Sequence, residues 1–230
     1  MNIAFWIFTS LLVVDFILYL PGFIKKIAPL EKTSRSLFVP LTAGVIISIL
    51  ALYLPDSHHI IELASFALAA TAVFMLFTLG DKNKFLRSAE EFFYVVSQLL
   101  WLMLIVSVYR IYRVSEILFV ITGAFYLAGF IVICFFIKKQ SPAKYAASLI
   151  QYFTSALLGT TAIVCMIYEK RLFSVIMFIG TLALMFGTVL MIFQKTRPFA
   201  INEKIEKLLI TITAVAASAL MGTGAILMQV

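Results

Sequence analysis

Two aspartates stand in strongly apolar surroundings, where a carboxyl group can do acid–base chemistry. Asp15 lies inside the run LLVVDFILYL, and Asp81 follows FTLG at the end of a later apolar run, beside Lys82 and Lys84. An ionisable group in the middle of a bilayer costs about 2.5–3.5 kcal/mol on insertion scales, so Asp15 is either a protonated or hydrogen-bonded structural carboxyl or a functional one. A carboxylate at a helix C-terminus is opposed by the helix dipole, so capping explains Asp81 poorly. A solvated loop aspartate paired with lysine is the simplest alternative to a reactive one.

Other charged residues at the ends of apolar runs have simpler explanations. Glu62 lies near the start of the third run, where the helix dipole favours a carboxylate. Asp56, His58 and His59 are close enough in sequence to suggest a metal site. Adjacent histidines on a regular element point apart, however, and no HExxH spacing is present, so an exposed turn is favoured over metal binding. We expect no metal and no cofactor.

A polar pair interrupts the fourth apolar run, EEFFYVVSQLLWL. It consists of Ser97 and Gln98, and Trp101 follows three residues later. Polar side chains inside a span either bridge neighbouring helices or line a cavity, and the sequence leaves both open. The chain has no GxSxG, no P-loop, no glycine-rich nucleotide fingerprint and no CxxC. The common chemistries of soluble enzymes are therefore unsupported.

The composition identifies the solvent around these residues. Of 230 residues, 63% are hydrophobic and 13% are charged, and the mean hydropathy is +1.09. Runs of about 20 apolar residues, enough to cross a hydrocarbon core roughly 30 Å thick, recur along the chain. The net charge of +7 comes from Lys and Arg that lie almost wholly between these runs. We interpret it as topology signals and contacts with anionic lipid, not as a nucleic-acid surface.

The apolar runs predict an all-α polytopic membrane protein, a bundle of about eight transmembrane helices in a single domain. Backbone groups in hydrocarbon must be satisfied within the segment, and these runs are too long for barrel strands. The predicted helices lie near 3–21, 37–54, 60–79, 92–109, 115–137, 145–168, 172–193 and 208–228 of the domain 1–230. The connectors are short and contain the helix breakers Pro21, Pro55, Pro142 and Pro198. No internal repeat is apparent in the sequence.

Small residues on two predicted helices recur at a spacing of four, which lets neighbouring backbones approach closely. Ala214, Ser218 and Gly222 are spaced in this way on the last helix, and Ser155 and Gly159 on the sixth. Packing within the bundle is favoured over a dimer face.

The basic residues predict the orientation in the membrane. The first, third, fifth and seventh connectors carry four, three, three and four Lys and Arg, 14 in all, whereas the second, fourth and sixth carry none, two and two, 4 in all. Because cytoplasmic connectors are enriched in Lys and Arg, the odd connectors should be cytoplasmic and both termini should lie on the outer side. The compact connectors suit a bacterial inner membrane.

Taken in order, the polar landmarks resemble the YhhN family of membrane proteins, which includes the lysoplasmalogenases of animal membranes. The resemblance runs over most of the chain through short matches to the family's early aspartate, its KPLT element, its Gly-Asp at the end of the third span and its FF…SHLLY pattern. The matching residues are Val14-Asp15, Pro40-Leu41-Thr42, Gly80-Asp81, Phe92-Phe93 and Ser97-Gln98-Leu99-Leu100-Trp101.

The chain departs from the family pattern at several positions. Val39 stands where lysine is usual, Gln98 where the family has histidine, and Trp101 where it has tyrosine. In the seventh span the family commonly carries Ser-Asp and, about a dozen residues later, Arg-Phe. This chain has Gly187-Thr188 followed by Arg197-Pro198-Phe199, so the second family carboxylate is missing.

The resemblance implies hydrolysis of the vinyl-ether bond of a lysoplasmalogen, which releases a fatty aldehyde and a glycerophospho-headgroup. That reaction needs an acid to protonate the enol-ether carbon and water to add to the resulting oxocarbenium ion, a task suited to two carboxyl groups in different environments. On this basis Asp81 is the expected catalytic carboxyl and Asp15 its assistant. Thr42, Gln98 and Trp101 are the expected substrate-binding residues, and membrane lipids, including lysophospholipids, are the expected partners.

Two other functions compete with hydrolysis. In the second hypothesis the chain is a divergent, catalytically silent member of the family that binds a lipid or small amphiphile. In the third hypothesis it is a small transporter in which Asp15 and Glu62 serve as proton or cation sites. Transport has the least support in the sequence, because no paired Gly/Pro-interrupted spans occur in corresponding halves.

Overall fold

The computed structural model describes residues 3–25, 27–53, 58–79, 84–108, 116–137, 142–196 and 203–228. These residues are almost wholly helical and contain no strand. A 3₁₀ turn, Ala51–Tyr53, follows the second of eight α-helices. The helices are α1 (Ile3–Ile24), α2 (Ala28–Leu50), α3 (His58–Leu79), α4 (Lys84–Val108), α5 (Glu116–Ile137), α6 (Pro142–Glu169), α7 (Leu172–Thr196) and α8 (Glu203–Leu227).

The helices match the predicted order, but several extend beyond the apolar runs. Helix α2 begins nine residues before the predicted start of 37, and α4 begins eight residues before 92. Hydropathy identifies only the apolar part of a helix. The backbone hydrogen bonds of the helix continue into polar turns such as LEKTSRS. The sequence therefore predicts the order of the helices better than their ends.

Pro21 does not break the first helix, contrary to the prediction. It lies inside α1, which continues to Ile24, and the Lys25 N–H donates to the Pro21 carbonyl at 2.9 Å. Proline is tolerated in membrane helices because the freed backbone groups find other partners. Pro142 is the first residue of α6, where a missing N–H costs nothing. Pro55 and Pro198 lie outside the described residues.

Six of the eight helices are long and apolar enough to cross a membrane: α1, α2, α5, α6, α7 and α8. In the other two, the apolar part that the structure describes is shorter, 59–74 in α3 and 92–107 in α4. The protein is therefore a multi-pass integral membrane protein, while the count of eight crossings stays a prediction.

Six helices form a closed, flattened ring in which each packs against the next, in the order α2, α3, α4, α6, α7, α8 and back to α2. The centre of the ring is apolar and includes Leu50, Leu68, Leu104 and Met177. Helices α1 and α5 lie outside the ring, where α1 packs mainly on α2 and α5 mainly on α6. Only 11% of the apolar segment of α1 and 17% of that of α5 are buried, against 50% in α7.

The packing of the first four helices is repeated by the last four. Helices α1 to α4 pack in sequence, as do α5 to α8. Besides a smaller contact between α3 and α8, the two halves meet at two places, between α2 and α8 and between α4 and α6. We call these contacts the α2/α8 seam and the α4/α6 seam. In the repeated packing, α2 corresponds to α6 and α8 corresponds to α4. The α2/α8 seam therefore corresponds to the α4/α6 seam.

The repeat is one of packing and not of residue type, which is why the sequence does not reveal it. Six buried residues of α4 each have a buried counterpart 120 positions later on α8. The pairs are Tyr94 and Ala214, Ser97 and Ala217, Gln98 and Ser218, Trp101 and Met221, Leu104 and Gly224, and Ile105 and Ala225.

Candidate functional site

The residues predicted to act on a substrate lie on different helix interfaces. Asp81 lies outside the described residues, so its catalytic role stays a prediction. Asp15 is on α1 and contacts α2, whereas Gln98 and Trp101 are on α4, which packs mainly on α3 and α6. Thr42 is buried on α2, and its hydroxyl donates to the Phe38 carbonyl of the same helix at 2.7 Å.

Asp15 belongs to a polar patch between α1 and α2. Its side chain is 5% exposed and forms a hydrogen bond with the Ser34 hydroxyl. One turn along α1, Tyr19 lies near the Glu31 and Arg35 side chains of α2, which form an ion pair with an N···O distance of 3.7 Å. Both residues of that pair are buried. Since α1 contributes little to the ring, this patch is a separate site from the interior that α4 lines.

Gln98 and Trp101 point into the interior of the bundle. Each is 1% exposed, and they belong to one buried stripe of α4 that also contains Tyr94, Ser97 and Leu104. Residues three and four apart share a helix face, so Tyr94, Gln98 and Trp101 are neighbours along that stripe. Both polar atoms of the Gln98 amide are buried, and neither has a hydrogen-bond partner within the described part of the chain.

Beside Gln98, a hydroxyl cluster joins three helices across the α4/α6 seam. The Tyr94 hydroxyl forms short hydrogen bonds with the Ser155 hydroxyl of α6 and the Thr188 hydroxyl of α7. The two smaller hydroxyls are 3.1 Å apart, and Thr188 also donates to the Leu184 carbonyl at 2.9 Å. The Tyr94 ring meets Phe74 of α3 edge-on, with centroids 5.0 Å apart. Four helices of the ring therefore converge on this one side chain.

The sequence contains only partial signals for the cluster. The spacing of Ser155 and Gly159 predicts helix packing, and Thr188 stands where the family pattern has an aspartate. Tyr94 was not singled out, although it lies one helical turn before Gln98 on the same face. Its partners are 61 and 94 residues away in sequence, and helix periodicity cannot bring such positions together.

The other polar residues of the sequence analysis take no part in this site. Glu62 and His59 are exposed near the start of α3. Within the described residues, no group of three His, Cys, Asp or Glu side chains could hold a metal ion. His58 has no described side chain, and Asp56 lies outside the described residues.

Gln98, Tyr94, Ser155 and Thr188 make an uncharged, hydrogen-bonding region inside an apolar ring. Such groups can donate to and accept from a polar ligand, but a hydroxyl or an amide is a poor proton donor toward carbon near neutral pH. The fold and this interior define a multi-pass membrane protein with a buried polar site. Comparisons of the chain with models of protein families, with curated proteins and with solved structures give no match.

Proposed function

We propose that the protein binds a lysophospholipid, with the oxygen-rich glycerol part of the lipid against Gln98 inside the ring. The observation that carries the proposal is the Gln98 amide, which is buried and has no hydrogen-bond partner within the described residues. A buried polar group left unmatched costs about 1–3 kcal/mol, and a bound ligand with donors and acceptors removes that cost. A glycerol hydroxyl and an adjacent ether or ester oxygen offer both kinds of partner.

The depth of Gln98 suits such a lipid. The apolar segment of α4 begins at Phe92, six residues earlier, so Gln98 lies about 9 Å along the helix from that end. A lipid phosphate at the membrane surface would place the glycerol some way below it. The basic connectors, if cytoplasmic as predicted, would attract the phosphate at that surface.

The proposed protein is a binding protein rather than a hydrolase. The chain departs from the YhhN pattern at Gln98, where the family has histidine, and at Thr188, where it has the second aspartate. Thr188 hydrogen-bonds Tyr94, and Gln98 lies one helical turn after Tyr94 on α4. Both replacements are neutral, and vinyl-ether cleavage needs an acid that can protonate carbon. A family-like site with these replacements would keep its polar contacts to a lipid and lose its proton donor.

The test uses Trp101 as an internal reporter three residues from Gln98. The chain has two tryptophans, and the other, Trp6, is 58% exposed on α1, so Trp6→Phe leaves one buried fluorophore. In nanodiscs, adding a lysophospholipid should shift Trp101 emission, and native mass spectrometry should show the bound lipid. Gln98→Met should abolish both signals, while Ser218→Ala should keep them. A folded protein that gives neither signal would refute the proposal.

Hydrolysis is a second candidate, and the Gly80-Asp81 match to the family favours it. The same nanodiscs should be given a defined lysoplasmalogen with an ethanolamine or choline headgroup, and aldehyde release measured. We expect none. Release that is lost in Asp81→Asn, with the fold retained, would replace the binding proposal by a hydrolase that uses Asp81.

A further inference from the structure

Helix α1 is attached to the bundle through one narrow stripe. Its buried residues are Asp15, Tyr19 and Gly22, at a spacing of four and three, and most of the rest of the helix is exposed. Gly22 lies so close to α2 that a Cβ there would be 2.9 Å from the Glu31 backbone nitrogen. Further along, the Phe8 ring packs over Gly44. The docking of α1 therefore depends on one narrow interface, in which Asp15 lies between the Phe8 and Gly22 contacts.

The Asp15 carboxyl has one partner in that interface. The Ser34 hydroxyl hydrogen-bonds it, and its Oδ2 atom is buried with no hydrogen-bond partner. Among the described residues Asp15 forms no ion pair, and Arg35, which follows Ser34 on α2, is paired with Glu31. The titratable groups of the same patch are Tyr19, one turn away on α1, and the Glu31 and Arg35 pair of α2, which lies near Tyr19.

We propose that Asp15 is a proton-binding site that holds α1 on α2. A carboxylate with one hydrogen bond and an unmatched buried oxygen is far costlier in an apolar setting than the neutral acid. The docked form of α1 therefore carries the proton on Asp15. When the carboxyl gives the proton to water, the charge needs hydration, and α1 separates from α2 to admit it. The ligand of this site is a proton, and its binding determines whether α1 is docked on α2.

Infrared spectroscopy tests the proton directly. In wild-type protein reconstituted in lipid at neutral pH, we expect the carbonyl stretch of a protonated carboxylic acid, and its loss in Asp15→Asn. Glu62→Gln is the matched control: it removes an exposed carboxyl of α3, and the band should remain. Spectra of wild type and Asp15→Asn that coincide in this region would overturn the assignment.

Cross-linking tests the coupling to helix position. Cysteines placed together by Phe8→Cys and Gly44→Cys, with Cys134 and Cys165 replaced by alanine, report on docked α1. With Asp15 present, the yield of disulfide on copper-phenanthroline oxidation should fall as the pH rises. With Asp15→Asn it should not fall, because that side chain cannot ionise. Thiol ionisation affects both backgrounds alike, so the same pH dependence in both would overturn the coupling.

Discussion

The two seams between the halves of the ring have corresponding positions in the fold and opposite chemistry. At the α4/α6 seam, Tyr94 bonds Ser155 and, on the next helix, Thr188. At the α2/α8 seam, Ile46 packs onto Gly222 with no hydrogen bond between them. The position of Tyr94 is occupied on α8 by Ala214. The two seams therefore occupy corresponding places in the repeated packing, but one is closed by apolar contacts and the other contains the polar site.

The difference has a physical basis in how each contact responds to a ligand. Close apolar packing on a glycine has no alternative partner, so opening that seam loses the contact outright. Hydroxyls that bond one another can exchange partners with a polar ligand at little net cost. The polar seam is therefore the one suited to binding, and substitutions at the two seams should behave differently.

The largest effect is expected at the apolar seam from Gly222→Leu. A Cβ at Gly222 would lie 2.6 Å from Ile46 Cγ2, so a larger side chain forces the two helices apart. Overpacking of this kind typically costs about 1–3 kcal/mol, and we expect the upper end. Denaturant titration in mixed micelles measures the loss. Combining it with Ile46→Ala should cost less than the two single changes together, because the shortened side chain makes room. Strict additivity would show that the contact is not tight.

A gain of about 2 kcal/mol in the free energy of unfolding is expected from Gln98→Met at the polar seam. Methionine fills a similar volume without the buried, unmatched amide atoms, whose desolvation costs about 1–3 kcal/mol. The same variant should lose the lysophospholipid response of Trp101, so stability and binding change in opposite directions. A loss of stability would mean that the amide already has partners.

Tyr94→Phe is expected to lower the free energy of unfolding by about 1 kcal/mol. The change removes the bridging hydroxyl, but Ser155 and Thr188 can still bond each other at 3.1 Å. Hydrogen bonds between membrane helices average about 0.6 kcal/mol with a maximum near 1.7, which sets the range. The free energy of unfolding of Tyr94→Phe, compared with that of Phe74→Leu as a packing control, checks it. A loss above about 3 kcal/mol would show that the cluster holds the seam together.

The smallest effect is expected from Ser218→Ala, at the position on α8 that corresponds to Gln98. The Ser218 hydroxyl is buried and has no hydrogen-bond partner among the described residues, so its removal should stabilise the protein by about 0.5 kcal/mol. Lysophospholipid binding should be unchanged. If binding is lost here as well, the two corresponding positions act as one site and the contrast between the seams fails.

Particular residues show how far prediction from sequence reached. The order of the helices follows from local hydropathy, and the structure has the helices in that order. The sequence predicts that Pro21 ends α1, but the helix continues through it to Ile24, and the Lys25 N–H bonds the Pro21 carbonyl. The resemblance to the YhhN family predicts that Asp15 and Gln98 belong to one site. The structure separates them because α1 packs on α2, outside the ring to which α4 belongs.

The sequence by itself determined that this chain lies in a membrane as helices, because unsatisfied backbone groups and charges are too costly in hydrocarbon to allow much else. Only the tertiary structure decided which helices form the ring, that the two halves repeat the same packing, and that Tyr94 meets Ser155 and Thr188. In a uniformly apolar chain, every helix face is compatible with lipid, so hydropathy carries little information about which helices pack against one another. Packing of small residues and a few hydrogen bonds makes that choice, and these depend on positions far apart in the chain.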